Sequence, residues 1–258
     1  MKNIFFSIIT CTKNSEKFIL RNIKSVDKQI FRKYEQIFID GDSNDLTKKI
    51  ISEFVRKDNE KYRLFSFPPR GISNAFNKGI KKTSGQYLIF LNSDDFFYDT
   101  SVLDVVHRFL VKNTDCDWIY GKINVVEESG KSVGRYPDRK IYNFLPRYLL
   151  KFYNLIPHQA VFIRKTVFDK YGYFDENLKS SMDIDMWLRI INKTKWKFLN
   201  EIIANYTIRS SAQSSGMSNK LENGANLFKV AKRYMNFFEY IFFILVKKVL
   251  DRYNRTRR

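Results

Sequence analysis

Over the first 120 residues, short apolar runs rich in β-branched residues alternate with segments of helical spacing. The runs Phe5–Thr10, Tyr34–Asp40, Tyr62–Ser66, Gln86–Leu91 and Trp118–Tyr120 read as strands. Between them, Phe18–Lys28, Leu46–Lys57, Ile72–Thr83 and Ser101–Asn113 place apolar residues three and four apart and read as helices. Such alternation predicts right-handed strand–helix–strand units and a mostly parallel sheet flanked by helices. The near-continuous apolar character of the strands fits a sheet covered on both faces.

Sheets of this kind bind ligands beyond the carboxyl ends of their strands. Three polar clusters fall there: Thr10 to Asn14, Asp40 to Asp45, and Asn92 to Asp95. Two adjacent carboxylates in NSDD suit a hard divalent cation, which takes one or two carboxylates and leaves positions for substrate phosphates. A turn with an Asp helix cap is the plainer reading of the same residues. Asp40 can accept hydrogen bonds from a base or ribose, and Asp45 is placed to cap the next helix, with Asp42 open between the two roles. Asn77, on the helix that Arg70–Ile80 opens, could reach a nucleotide or simply face solvent.

After residue 121 the alternation stops. Lys131–Tyr153 is basic and aromatic and reads as irregular, and Arg209–Asn219 reads as a Ser-rich loop. Lys165–Tyr171 and Asp183–Lys193 read as helices. Asp185 and Arg189 are spaced for a structural ion pair. Asp183 lies roughly 200° round that helix from Asp185, beside Trp187 and Ile190. A carboxylate facing inward needs a partner or a task, so Asp183 is the general-base candidate, with a helix cap as the alternative. His158 reads first as a hydrogen-bonded structural residue and second as a catalytic or phosphate-contacting one.

With 44% hydrophobic and 28% charged residues, the 258-residue chain is neither disordered nor a disulfide scaffold. Its two cysteines form no CxxC pair, and two histidines make a His-based metal site improbable. The N-terminal segment reads as a first strand rather than a signal peptide, and no apolar stretch has the length of a transmembrane helix.

The set SIITCTKNSEKFI, FIDGDSNDLT, GISNAFNKGI, YLIFLNSDD and FDENLKSSMDIDMWLRI resembles family 2 inverting glycosyltransferases of the GT-A fold, in the style of bacterial capsule, O-antigen and exopolysaccharide enzymes. The resemblance spans about residues 3–210 and implies a Rossmann-like α/β domain over 1–215, followed by a helical tail over 216–258. By position it implies that Thr10 and Asp40 hold the nucleotide base, with Asp42, Asn77, Asn92 and Ser93 around the nucleotide. Asp94 and Asp95 would hold Mn²⁺ or Mg²⁺, and Asp183 would be the catalytic base. The chain departs from the family pattern at Phe76, where many relatives carry Arg, and at Met182, where Glu is usual. The loop that often carries a His reads RSSAQSSG here, leaving Arg209 as an electrostatic substitute. No QxxRW motif is present, which argues against a processive synthase.

The formal net charge of +19 exceeds what a diphosphate site needs and implies a further anionic partner. From Lys229 to Arg258, nine basic residues stand against two acidic ones, around the apolar run Phe237–Val246. This reads as a basic amphipathic helix on an anionic membrane surface, or else as a helix packed on the domain or on a second copy in a homodimer. The expectation is a metal-dependent enzyme, cytoplasmic and peripheral on the inner face of the cell membrane. It would move a sugar from a nucleotide-sugar donor, UDP favoured, to a lipid-linked or growing saccharide. Basic and aromatic residues interleave in Arg135–Tyr153, but no recognition motif accompanies them, so nucleic acid is not an expected partner. An inactive scaffold is the other alternative, opposed by the intact Asp94, Asp95 and Asp183.

Overall fold

The computed structural model describes residues 4–137, 150, 156–178, 180–209, 226–241 and 244. In chain order the first half contains β1 (Phe6–Thr12), α1 (Glu16–Asp27), β2 (Tyr34–Asp40), α2 (Thr47–Lys57), β3 (Tyr62–Ser66), α3 (Ile72–Lys82) and β4 (Tyr87–Phe90). Then come β5 (Phe96–Phe97), α4 (Val102–Lys112), β6 (Trp118–Glu127) and β7 (Ser132–Tyr136). A 3₁₀ turn, His158–Ala160, leads into β8 (Val161–Arg164), α5 (Lys165–Tyr171), α6 (Met182–Ile190) and β9 (Trp196–Ile208).

These strands form one sheet in the order β3-β2-β1-β4-β8-β6-β9-β5, with β7 added on β6. The edge β3-β2-β1-β4 is parallel throughout. Every residue of β1, β2 and β4 is buried, as strands covered on both faces require. Beyond β4 the sheet is mixed: β8 runs antiparallel to both β4 and β6, β5 to β9 and β7 to β6, while β6 and β9 are parallel. The expectation of a mostly parallel sheet therefore holds for the first half, and the second half corrects it. β6 extends to Glu127 and turns back into β7, a hairpin within a stretch expected to be irregular.

The helices cover the sheet with their apolar stripes. Against α1, Ile19, Ile23 and Val26 are fully buried, and the polar Asn22 is buried among them. On the opposite face, α6 places Trp187 against Trp118 of β6, with ring centroids 5.5 Å apart at 18°. Trp118 stacks in turn on Trp196 of β9, at 5.6 Å and 28°. The α3–β4 connection needs Gly85, because a Cβ there would lie 2.7 Å from the Ser7 amide nitrogen of β1.

The described part of the C-terminal segment belongs to the same body. Val230 and Ala231 are fully buried, and Asn226 donates to the Ser180 hydroxyl at 2.9 Å. Arg233 meets Asp175 at 2.9 Å, and the Tyr234 hydroxyl donates to Asp185 at 2.9 Å. Packing thus continues past the boundary expected at residue 215. Phe237 and Phe238, further along, are 71% and 81% exposed. The rest of the basic tail lies outside the described residues. Among the described residues, no helix is long and apolar enough to cross a membrane.

Candidate active site

Strand register puts Thr12, Asp40 and Ser66 side by side at the carboxyl ends of β1, β2 and β3. The Asp40 carboxylate, fully buried, accepts the Ser43 amide at 3.0 Å and the Ser66 hydroxyl at 3.4 Å. Asp40 therefore shapes the turn that follows it. Asp42 sits at the exposed tip of that turn with φ +54°. The loops after β1 and β2 are laced together. Glu16 accepts the Leu46 amide at 2.8 Å, while Asp45 accepts the amides of Glu16 at 3.1 Å and Thr47 at 2.9 Å. The cap position of α2 is Leu46, so Asp45 sits one residue before the expected cap, and its carboxylate ties the Thr47 amide to the loop after β1.

Thr10 lies deeper than expected. β1 runs on to Thr12, so Thr10 is inside the sheet, fully buried, and its hydroxyl accepts from the Gln36 amide at 3.0 Å. The strand-end threonine is Thr12, whose Oγ1 is buried with no hydrogen-bond partner among the described residues. Thr12 replaces Thr10 at the mouth of the site.

The NSDD loop after β4 is held from α1. Asn22 donates to the carbonyls of Asn92 and Asp95, both at 2.9 Å. Arg21 reaches the Asp94 carbonyl at 3.4 Å and lies over the Phe96 ring at 4.3 Å. Ser93 donates to the Ser15 hydroxyl at 2.9 Å. The two acidic side chains then part. Asp94 is partly buried, and Arg209 Nε stands 2.8 Å from its Oδ2. Asp95 turns inward, 1% exposed, and accepts the Thr207 amide of β9 at 3.0 Å. Burial, reinforced by the neighbouring Asp94 charge, pushes the Asp95 carboxyl well above the usual carboxylate range, against the hydrogen bonds from Thr207 and Gln159. Asp95 therefore fastens the loop to β9, and the expectation of a paired metal carboxylate narrows to Asp94. Among the described residues, no cluster of three His, Cys, Asp or Glu side chains could enclose a metal ion by itself.

Asp183 is in the first turn of α6, 8% exposed, with its Oδ1 accepting the Ile184 amide at 2.9 Å. The cap position is Ser181, so the cap alternative for Asp183 falls away. His158 joins this carboxylate to the NSDD loop: its Nδ1 is 3.5 Å from Asp183 Oδ2, and its Nε2 is 3.2 Å from Asn92 Nδ2. Asn92 Oδ1 is buried with no hydrogen-bond partner among the described residues. Asp185, on the other side of α6, pairs with Arg189 as its spacing implied.

Asn77 does not join the group. Its amide donates to the Phe174 carbonyl and to Glu176, both at 2.9 Å, and its Oδ1 accepts the Phe174 amide at 3.0 Å. All of its capacity toward α3's neighbours is used, which removes it from the nucleotide contacts. Phe76 stacks on Phe90 at 4.4 Å and fills the space beneath His158. Sequence reasoning named Thr12 only as part of the Thr10 to Asn14 cluster, and missed Asn22, Gln159 and Thr207. The one local signal was Asn22, a polar residue on the apolar stripe of an amphipathic helix.

A parallel nucleotide-type edge, a mixed second half and an acidic loop between them define a GT-A glycosyltransferase domain. The pattern of Glycosyl transferase family 2 matches residues 7–172, and the chain belongs to that family. An uncharacterized glycosyltransferase of Methanocaldococcus jannaschii is 25% identical over 206 residues, covering 78% of this chain and 70% of that protein. A PGL/p-HBAD biosynthesis glycosyltransferase of Mycobacterium bovis is 25% identical over 218 residues, 84% of this chain and 80% of that one. Among solved structures, S. aureus TarS 1–349 in complex with UDP-GlcNAc superposes with a TM-score of 0.69 at 21% identity, over 90% of this chain and 72% of that one. The mannosyltransferase PcManGT of Pyrobaculum calidifontis, in complex with GDP-Man and Mn²⁺, gives 0.68 at 13% identity, over 90% of this chain and 65% of that one. The chain spans 37% of a longer S. aureus TarS chain.

Proposed function

We propose that this protein is an inverting glycosyltransferase that moves a sugar from a nucleoside diphosphate sugar to a hydroxyl of a saccharide acceptor. One observation carries the reading. Of the five buried polar side-chain atoms without a hydrogen-bond partner among the described residues, two, Thr12 Oγ1 and Asn92 Oδ1, lie at the carboxyl ends of β1 and β4. Buried polar groups are nearly always satisfied, so such a pair at a sheet edge is where a polar ligand belongs. Asp40 and Asp94 lie on the same edge.

Thr12, Asp40 and Asp42 would line the base and ribose side, with Asn92 Oδ1 placed to accept from a ribose hydroxyl or a water of the metal shell and Ser93 beside it. Asp94 fits a hard divalent cation: it is an oxygen ligand, and a positive group already stands against it. When bound, Mn²⁺ or Mg²⁺ supplies positive charge against the diphosphate leaving group. Arg209 would then be released toward the diphosphate.

Asp183 is the general base in this reading. The acceptor hydroxyl gives its proton to the carboxylate while its oxygen attacks the anomeric carbon. The bond from that carbon to the diphosphate oxygen breaks on the opposite side, and its electron pair leaves with the diphosphate. Such assistance is worth about 10²–10⁴-fold.

UDP is the favoured nucleotide, supported by the UDP-GlcNAc bound in TarS, and a lipid-linked acceptor in surface polysaccharide synthesis fits the basic tail. The exposed Phe237 and Phe238 beside Lys229, Lys232 and Arg233 support seating on the inner face of an anionic membrane. The test is a thermal-shift panel of UDP, GDP, dTDP and CMP and their sugars, with and without Mn²⁺, on wild type and Asp94→Asn. Ligand at about 100 times its Kd stabilises by about 2.7 kcal/mol. A Mn²⁺-dependent shift for one nucleotide, lost in Asp94→Asn, is expected. No shift with any of them overturns the reading.

A further inference from the structure

The imidazole of His158 sits between the two halves of the site. Asn92 Nδ2 is a pure donor, so at 3.2 Å it requires a lone pair on His158 Nε2. The ring proton of the neutral imidazole then belongs on Nδ1, the atom 3.5 Å from Asp183 Oδ2. The turn that carries the ring is tied on both sides. The Gln159 side chain lies close enough to the Asp95 carboxylate of the NSDD loop to lower its pKa, and Trp187 Nε1 of α6 donates to the Ile156 carbonyl at 3.2 Å. The ring also meets Phe76 edge to face at 5.9 Å, which blocks rotation on that side.

We infer that His158 is a positioning residue: Asn92 fixes it as the Nδ1–H tautomer, and that proton orients the Asp183 carboxylate toward the acceptor. This rests on Asp183 being the base. His158 keeps its Nδ1 proton through the reaction, and the proton from the acceptor goes to Asp183 alone. The orientation of the base is thereby coupled to the loop that contacts the donor.

The chain has only two histidines, so selective ¹⁵N labelling of histidine rings gives two spin systems, and His107→Asn assigns them. His158 is expected to show a protonated Nδ1 and an unprotonated Nε2, with both signals moving in Asn92→Ala and Asp183→Asn. An Nε2–H form or a rapidly averaging ring overturns the proposal. Turnover is read as UDP release from UDP-GlcNAc, UDP-glucose and UDP-galactose, with water standing in for the acceptor hydroxyl. His158→Ala is expected to lower kcat by about 10- to 100-fold, with the donor KM within about threefold, because misplacing a catalytic group by 1 Å costs on that scale. His158→Asn, whose amide can donate to Asp183 from near the Nδ1 position, is expected to recover most of the loss. Full activity in His158→Ala, or no recovery in a folded His158→Asn, overturns the positioning role while an inactive Asp183→Asn leaves the base reading standing. Retained turnover in Asp183→Asn overturns the base reading and this role with it.

Discussion

The two halves of the sheet are built by different rules. In the parallel half, short strands alternate with single helices; α1 and α2 each link neighbouring strands, and α3 crosses back over β2 and β1 to set β4 beside β1. In the mixed half, β9 lies between β6 and β5, and α6 is anchored by residues more than 25 positions away, such as Ile156. The first half offers strand ends to a ligand. In the proposed reading the second supplies the side chains that complete the site, Asp183, His158 and Arg209. On that reading local periodicity is enough to make a binding edge, whereas bringing a base to it takes long-range packing.

That contrast breaks most visibly at Asp183. Asp183→Asn is expected to cut turnover by about 10²–10⁴-fold while the nucleotide-induced thermal shift is unchanged, since the parallel half is untouched. Equal loss of both would mean the halves do not divide the work.

Trp187→Ala removes an outer ring of the tryptophan column in the mixed half's core and is expected to cost about 3–5 kcal/mol in denaturant unfolding. Asp185→Ala strands the partly buried Arg189 and frees Arg233 and Tyr234, for about 3 kcal/mol. Limited proteolysis should then reach 226–234 first. If the segment stays protected, the buried Val230 and Ala231 with the Asn226–Ser180 and Arg233–Asp175 contacts hold it without Asp185.

In the parallel half, Gly85→Ala drives a Cβ against the β1 backbone at Ser7 and Phe6, and about 1–3 kcal/mol of destabilisation is expected by the same unfolding measurement. The smallest effect is expected at Asp27. Burial alone would raise its carboxyl, but hydrogen bonds from Lys61 at 2.8 Å and Tyr62 at 2.6 Å outweigh it and hold the group below its ordinary value. A lowered carboxyl stabilises the fold above the usual carboxylate range, and that stability is lost as pH falls through the folded-state value. Melting temperatures of wild type and Asp27→Asn should differ at neutral pH, by less than about 1 kcal/mol in stability, and converge in acid.

The same division explains what could be read from residues alone. Tyr34–Asp40 and Tyr62–Ser66 match β2 and β3 because both are short apolar runs bounded by polar turns. β9 was not legible: Lys197, Asn200 and Glu201 interrupt it, and its buried Asn205 and Thr207 are satisfied by Asn124 and Asp95 from distant strands. At the site, the acidic loop after β4 and the inward Asp183 were visible as residue types at strand and helix ends. The Thr10 and Thr12 positions were confused because β1 outlasts its apolar run, ending in Cys11 and Thr12. Asn77 misled because its partners lie about 100 residues ahead in the chain, at Phe174 and Glu176.

The tryptophan stack has a spectroscopic consequence. All three tryptophans of the chain, Trp118, Trp187 and Trp196, lie in that one column, and none is in the parallel edge. Intrinsic emission excited at the indole band therefore comes from a single optical centre, whose outer member rides on the helix that carries Asp183. It is blind to a local event at β1, β2 or β3. A change in that emission on adding a nucleotide sugar would report movement passed from the donor loop to α6, with no label attached.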